Sequence, residues 1–245
     1  MKPTKVKILA KKKCDEIKYN VMSLLTERGI EITNSMKSAD FFIIIGGDGT
    51  LFRYHSAIDA PIFGIKPGTS IGHYMSACEK DYMEKLNRIL SGKEGRDYFL
   101  NNILRLECEV NGKKLPFIAI NEFLISAIYT RRMLNAELQI DNELTIERCS
   151  GIIAYTPTGS TAFAGSAGAK PLRNGDRFGV IALAPYAGKL KSGEVIIEEG
   201  EVGIIILSNE AEVCVDGQEE QVKKLRYGDA ITVRKSRRYA KIITF

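Results

Sequence analysis

The stretch Phe41–Phe52, FFIIIGGDGTLF, runs five apolar residues straight into two glycines, an aspartate, a third glycine and a threonine before the chain turns apolar again. An unbroken apolar run such as Phe41–Ile45 fits a strand buried on both faces, and strands of that kind belong to parallel sheets covered by helices on either side. In an open α/β sheet the carboxyl end of such a strand faces the ligand crevice, which puts the glycine loop where ligands bind. Glycines at 46, 47 and 49 let backbone N–H groups approach a phosphate closely, and the amino end of the following helix adds favourable partial charge. Thr50 adds a hydroxyl donor. Asp48 is the odd member. A carboxylate there repels a phosphate unless it takes a proton from a nucleophile or holds a metal, and its bland alternative is a helix N-cap. The loop matches neither G-x-G-x-x-G nor the phosphate loop that ends in Lys-Ser/Thr.

Working outward, VKILA reads as a strand, Cys14, Ile17, Val21 and Leu24 recur at helical spacing until Gly29, and IEI reads as a further strand. A short helix is expected after the loop near Thr50, APIFGI is another buried strand, and Tyr82, Leu86, Ile89 and Leu90 mark a helix closed by Gly92. Strands alternating with helices predict a doubly wound, mostly parallel sheet over residues 1–97. After Tyr98 the rhythm changes to strands with turn punctuation: ILRLECEV, PFIAINEFLIS, NAELQI, LTIERC, GVIALAP, EVIIE, VGIIILS and AEVCV. Asn111-Gly112 is a strong hairpin signal, because both residues tolerate positive φ, and Asp141-Asn142 punctuates a second pair of strands. A β-rich, sandwich-like domain is expected over 98–232, with 233–245 a closing segment that returns to the first domain.

The 245 residues suffice for one large α/β unit or two modest domains. A formal charge of +5, concentrated in Lys11–Lys13 and Arg234–Arg238, suits a phosphorylated small molecule better than a polyanion, so no nucleic-acid partner is expected. The five cysteines are scattered and contain no C-x-x-C, which argues against a zinc site or a disulfide framework and for reduced thiols in a cytoplasmic protein. No stretch approaches the ~20 apolar residues of a membrane span.

Two more constellations carry chemistry. Asn121-Glu122 interrupts the apolar run FIAINEFLIS, and an amide beside a carboxylate there needs partners, which a ribose diol would supply; an edge or bulge with a solvated pair is the alternative. Then TPTGSTAFAGSAGAKP, Thr156–Pro171, sets Thr156, Thr158, Ser160, Thr161 and Ser166 among glycines and alanines. Such a loop can wrap a nucleoside, or simply cap a helix.

GGDGT, then NE, then TPTGSTA together resemble the NAD kinase family, and the resemblance runs from the first strand to the closing segment that begins VDGQ and ends RKSRRYAKI. GGDGT alone is shared with diacylglycerol, sphingosine and related lipid kinases; the combination is specific. The resemblance implies phosphorylation, by ATP or polyphosphate, of the 2′-hydroxyl of the adenosine ribose of NAD, giving NADP. It makes Asp48 the general base, lines the phosphate path with Gly46, Gly47, Gly49 and Thr50, and sets Asn121 and Glu122 against the adenosine. Thr158, Thr161, Ala162, Phe163 and Ser166 belong to the dinucleotide pocket, Arg53 and Arg132 are candidates for phosphate contacts, and Gln218 is a weaker contact. It also implies a homodimer or homotetramer and Mg²⁺ brought by ATP, held mostly by the phosphates because no dense acidic cluster appears in the sequence. The pattern departs from the family at Ser150, where an aspartate is usual, at Phe163, usually tyrosine, at His73, usually phenylalanine, and in APYAGKLKSG. A lipid-type kinase would need an apolar or membrane-facing surface, and against a non-catalytic NAD(P)-binding sensor stands the intact Asp48.

Overall fold

The computed structural model describes residues 3–68, 72–129, 131–141, 143–173 and 175–245. The chain divides into two compact units, 1–103 with 239–245, and 104–238.

In the first unit the chain runs β1 (Lys5–Ala10), α1 (Asp15–Glu27), β2 (Glu31–Ile32), β3 (Phe41–Ile45), α2 (Asp48–Tyr54), β4 (Ile62–Lys66), β5 (Ala77–Cys78), α3 (Tyr82–Ser91) and β6 (Phe99–Ile103), joined by the last strand of the chain, β19 (Ala240–Thr244). The sheet order is β2-β1-β3-β4-β19-β6, with β5 beside β4. Every pairing is parallel except that of β19 with β6. All five residues of β3 are buried, as a central strand covered on both faces requires. Phe41, Ile43 and Ile45 join Val21, Leu25, Leu86 and Ile89 of α1 and α3 in one apolar cluster. Gly29, at φ 67°, ends α1 in the left-handed conformation that favours glycine. The run ILRLECEV is two elements: β6 ends at Ile103 in this unit, because Phe99–Ile103 pairs with the returning β19.

The second unit holds β7 (Leu106–Val110), β8 (Lys113–Ala119), β9 (Glu122–Ala127), β10 (Leu134–Ile140), β11 (Glu143–Cys149), β12 (Gly151–Tyr155), a 3₁₀ turn at Gly159–Thr161, the single helical turn α4 (Phe163–Ser166), β13 (Phe178–Leu183), β14 (Val195–Ile197), β15 (Glu201–Ile206), β16 (Ala211–Val215), β17 (Val222–Leu225) and β18 (Ala230–Lys235). Two six-stranded antiparallel sheets form, β11-β10-β15-β18-β7-β8 and β14-β13-β12-β9-β16-β17. Alternating residues of both, among them Leu106, Leu138, Ile204 and Val233 of one and Phe123, Ile152, Val180 and Val213 of the other, share a single core. Asn111 and Gly112 make the β7–β8 turn at φ 52° and 71°. In the second predicted turn Asp141 has φ 54°, while Asn142 lies outside the described residues.

PFIAINEFLIS, which reads as one strand, is two. Lys113–Ala119 belongs to one sheet and Glu122–Ala127 to the other, so Ile120-Asn121 is the point where the chain crosses between them. That crossing leaves backbone groups without a ladder, which decides the surroundings of Asn121 and Glu122.

Candidate functional site

In the first unit β3 delivers the chain to the glycine turn, and the Gly46 amide still donates to Ile65 of β4, at 2.9 Å. A β-carbon at Gly46 would overlap the Thr50 hydroxyl and come 2.9 Å from the Thr50 Cβ, so glycine lets Thr50 fold back over the turn. Gly47 takes the N-cap position with extended backbone, φ −98° and ψ −172°. Asp48 is therefore the first helical residue rather than the cap. Its carboxylate reaches outside the helix instead, accepting the backbone N–H of His73 at 2.7 Å through Oδ2 and of Tyr74 at 3.0 Å through Oδ1. The Tyr74 ring stands edge-on to both Phe52 and His73, which packs that loop against α2. Gly49 is exposed with open space where a β-carbon would be, Thr50 is half-buried, and Arg53 is exposed in the last turn of α2. The result is a carboxylate held in one orientation beside backbone that substituents leave open.

In the second unit the site is built on the crossing between sheets. The Asp216 carboxylate accepts three backbone N–H groups, those of Ile120 at 3.0 Å, Asn121 at 2.8 Å and Glu122 at 3.0 Å. The Asp216 amide in turn donates to the Glu122 carbonyl. Thr156 closes the other side: its amide donates to the Asn121 carbonyl, and its hydroxyl to the Ile120 carbonyl at 2.7 Å. The Thr158 hydroxyl donates to the same carbonyl at 3.1 Å, so Thr158 is a strut of the loop. Gly159 sits so close to this crossing that a β-carbon would overlap the Asn121 carbonyl oxygen and come 2.7 Å from its carbon. The loop leads into Thr161, Ala162, Phe163 and Ser166; Thr161 and Ser166 are exposed, and the Phe163 ring is 40 % exposed. Ser160, buried, accepts the Leu172 amide, and Ala164 beneath the turn packs on Ile153, Tyr155 and Ile181 of the outer sheet face. Glu194 ties the far end of this segment down, accepting the Tyr155 hydroxyl and the Lys170 amide.

Asn121 and Glu122 are 7 % and 6 % exposed, so the solvated-edge alternative fails. The Glu122 Oε2 is buried and, among the described residues, has no hydrogen-bond partner. Burial first, and the Asp216 charge second, push the Glu122 carboxyl up to about 8. Gln218 is half-buried and turned on its own loop, donating to the Asp216 carbonyl at 3.3 Å. Arg132 lies on the surface, paired with Glu210 at 2.9 Å and set over the Tyr129 ring. Ser150 is half-buried and donates its amide to Leu183, in the short link between β11 and β12. Asp48, Thr50 and Arg53 thus gather in the first unit, while Asn121, Glu122 and the Thr156–Gly159 loop gather in the second.

Asp216 and Glu194 escaped the sequence reading. The signal for Asp216 was present, since an aspartate before glycine at the end of an apolar strand is a residue whose carboxylate binds nearby backbone. Glu194 carries no local signal, because Tyr155 and Lys170 are remote from it in sequence. The basic segment at Arg234 is engaged with Glu107, Glu109 and Glu201. Two clefts of about 590 and 610 Å³, lined by Lys114, Arg237, Lys223 and neighbouring residues, include none of the candidate residues. Among the described residues no group of three His, Cys, Asp or Glu could hold a metal ion.

Residues 120–245 match the ATP-NAD kinase C-terminal domain model. The NAD kinase of Thermoplasma volcanium is 31 % identical over 85 % of this chain and 75 % of its own length. That of Methanothermobacter thermautotrophicus is 30 % identical over 93 % of this chain and 86 % of its own. Two solved structures share the fold. An Archaeoglobus fulgidus NAD kinase in complex with ATP, 24 % identical, gives a TM-score of 0.78 over 98 % of this chain and 93 % of that one. Yeast NADH kinase complexed with NADH, 19 % identical, gives 0.87 over 100 % and 84 %.

Proposed function

Because the chain belongs to the NAD kinase family, enzymes that act as kinases on NAD, we propose that it transfers the γ-phosphoryl group of ATP, or a phosphoryl group of polyphosphate, to the 2′-hydroxyl of the adenosine ribose of NAD, giving NADP. The observation that carries the mechanism is the fixed Asp48 carboxylate at the mouth of the glycine turn. Phosphoryl transfer needs positioning and charge neutralisation more than covalent help, and one carboxylate near the attacking hydroxyl suffices to accept its proton. The Gly47 and Gly49 backbone, with Gly46 and Thr50 shaping the turn, is open to phosphate oxygens.

Asn121 and Glu122 bind the adenosine, on a crossing stiffened by Asp216 and Thr156. Thr161, Ala162 and Ser166 line the dinucleotide pocket, with the exposed Phe163 ring a stacking surface, while Thr158 and Gln218 hold loop shape. Arg53 contributes positive charge to the phosphates; Arg132 does so on leaving Glu210. A divalent cation arrives with ATP and neutralises the phosphates, which supply most of its coordination. Among the described residues no helix is long and apolar enough to cross a membrane, and we place the enzyme in the cytoplasm as a homodimer or homotetramer. Turnover of purified protein with NAD and ATP, and separately with polyphosphate, tests the assignment; NAD binding without NADP formation from either donor would leave a sensor instead.

A further inference from the structure

Glu122 opens β9 directly across from Tyr155 of β12, on the sheet face away from the sandwich core. It is 6 % exposed, and among the described residues its Oε2 has no hydrogen-bond partner. The three backbone N–H groups that reach this corner, from Ile120, Asn121 and Glu122 itself, all donate to Asp216. Two carboxyl groups therefore share one buried corner, and its donors go to only one of them. The titratable groups around Glu122 are Asp216 at the end of β16, Cys214 on β16, and Tyr155 on β12, whose hydroxyl is given to Glu194. None is a cation. A buried carboxylate without donor or counter-charge is the costly form, and a second anion beside it makes it costlier, so the proton stays on the group that lacks donors.

Resting on the nucleotide reading above, we propose that Glu122 is held as a neutral carboxylic acid and meets the nucleotide as a hydrogen-bond donor to a ribose or purine acceptor atom, rather than as an anionic acceptor. The neutral acid adds no negative charge beside the phosphates of the dinucleotide. It also makes nucleotide binding depend on a proton that the site must keep. Ionisation removes the donor and adds repulsion, so affinity falls as pH rises through about 8, the value to which burial and Asp216 push this carboxyl.

The test uses the full chain in two measurements. Infrared spectra of ligand-free wild type and E122Q at neutral pH read the protonated-carboxyl carbonyl stretch, expected in wild type and missing from the variant. Calorimetric titration of NAD across the alkaline range then reads affinity: wild type should weaken towards about tenfold per pH unit above its transition, while E122Q, which cannot ionise, should show no such decline. A missing Glu122-dependent band, or wild-type affinity that holds through the alkaline range, overturns the proposal. Failure of wild type to bind NAD at any pH overturns the nucleotide reading and the donor role with it, whereas a missing band beside normal NAD binding overturns this proposal alone. Should E122Q fold poorly, loss of the wild-type band on raising the pH through about 8 decides the protonation state without the variant.

Discussion

Gly159 packs against the backbone of Asn121 so closely that no side chain fits between them; a β-carbon would lie 2.7 Å from the Asn121 carbonyl carbon. The loop that follows β12 and the crossing that precedes β9 are thereby one structure. Gly159→Ala has only backbone to push against, so the loop or the crossing must shift. The expected cost is about 1–3 kcal/mol, the range for overpacking, read as a lower melting temperature together with weakened NAD binding. A variant with the melting temperature of wild type would show that the two segments separate freely.

Asp48→Asn should lower turnover by at least about 10²-fold, the scale of losing a general base, with NAD affinity changed little. The substitution also sets an amide nitrogen against one of the His73 and Tyr74 N–H donors that now bind the carboxylate. Steady-state kinetics with calorimetry on the same preparation separates the two effects, and near-normal turnover would remove Asp48 from the chemistry.

Asp216→Asn keeps the shape of the side chain but leaves one acceptor atom for three N–H donors. Hydrogen bonds to a charged group are worth about 1.5–3 kcal/mol each, so a loss of that order in unfolding free energy is expected. The same variant removes the negative charge beside Glu122 and should bring the Glu122 carboxyl down. Denaturant unfolding measures the first effect, and a pH titration of the Glu122 infrared band measures the second.

The Glu122 carboxyl is raised in the folded state, from the ordinary value of 4.5 to about 8. Between those values the folded chain keeps a proton that the unfolded chain has lost, so this group makes wild type less stable as pH rises through the window and contributes no further slope above it. Glu122→Gln lacks this penalty. The melting temperature of the variant relative to wild type should therefore climb from pH 4.5 to about 8 and level off beyond. A constant difference would mean that the carboxyl titrates normally.

Local pattern determined the elements and the sites of turning. Five apolar residues marked β3 as a strand for a covered sheet, Asn111-Gly112 turned the β7–β8 hairpin because both residues accept positive φ, and the glycines of the loop opened its backbone by lacking side chains. Resemblance to a family then marked Asp48, Asn121 and Glu122. Periodicity could not show that FIAINEFLIS breaks between two sheets, since alternation along one strand carries no record of which neighbour it will pair with. Nor could it show that Asp48 is held by amides 25 residues further on, or that Asp216, 94 residues from Glu122, takes the donors of that corner. A carboxyl group is acid or anion according to the dielectric and charges around it, and those arrive only when remote segments pack; the sequence by itself placed Glu122 at the site, and the tertiary structure decided that it keeps its proton there.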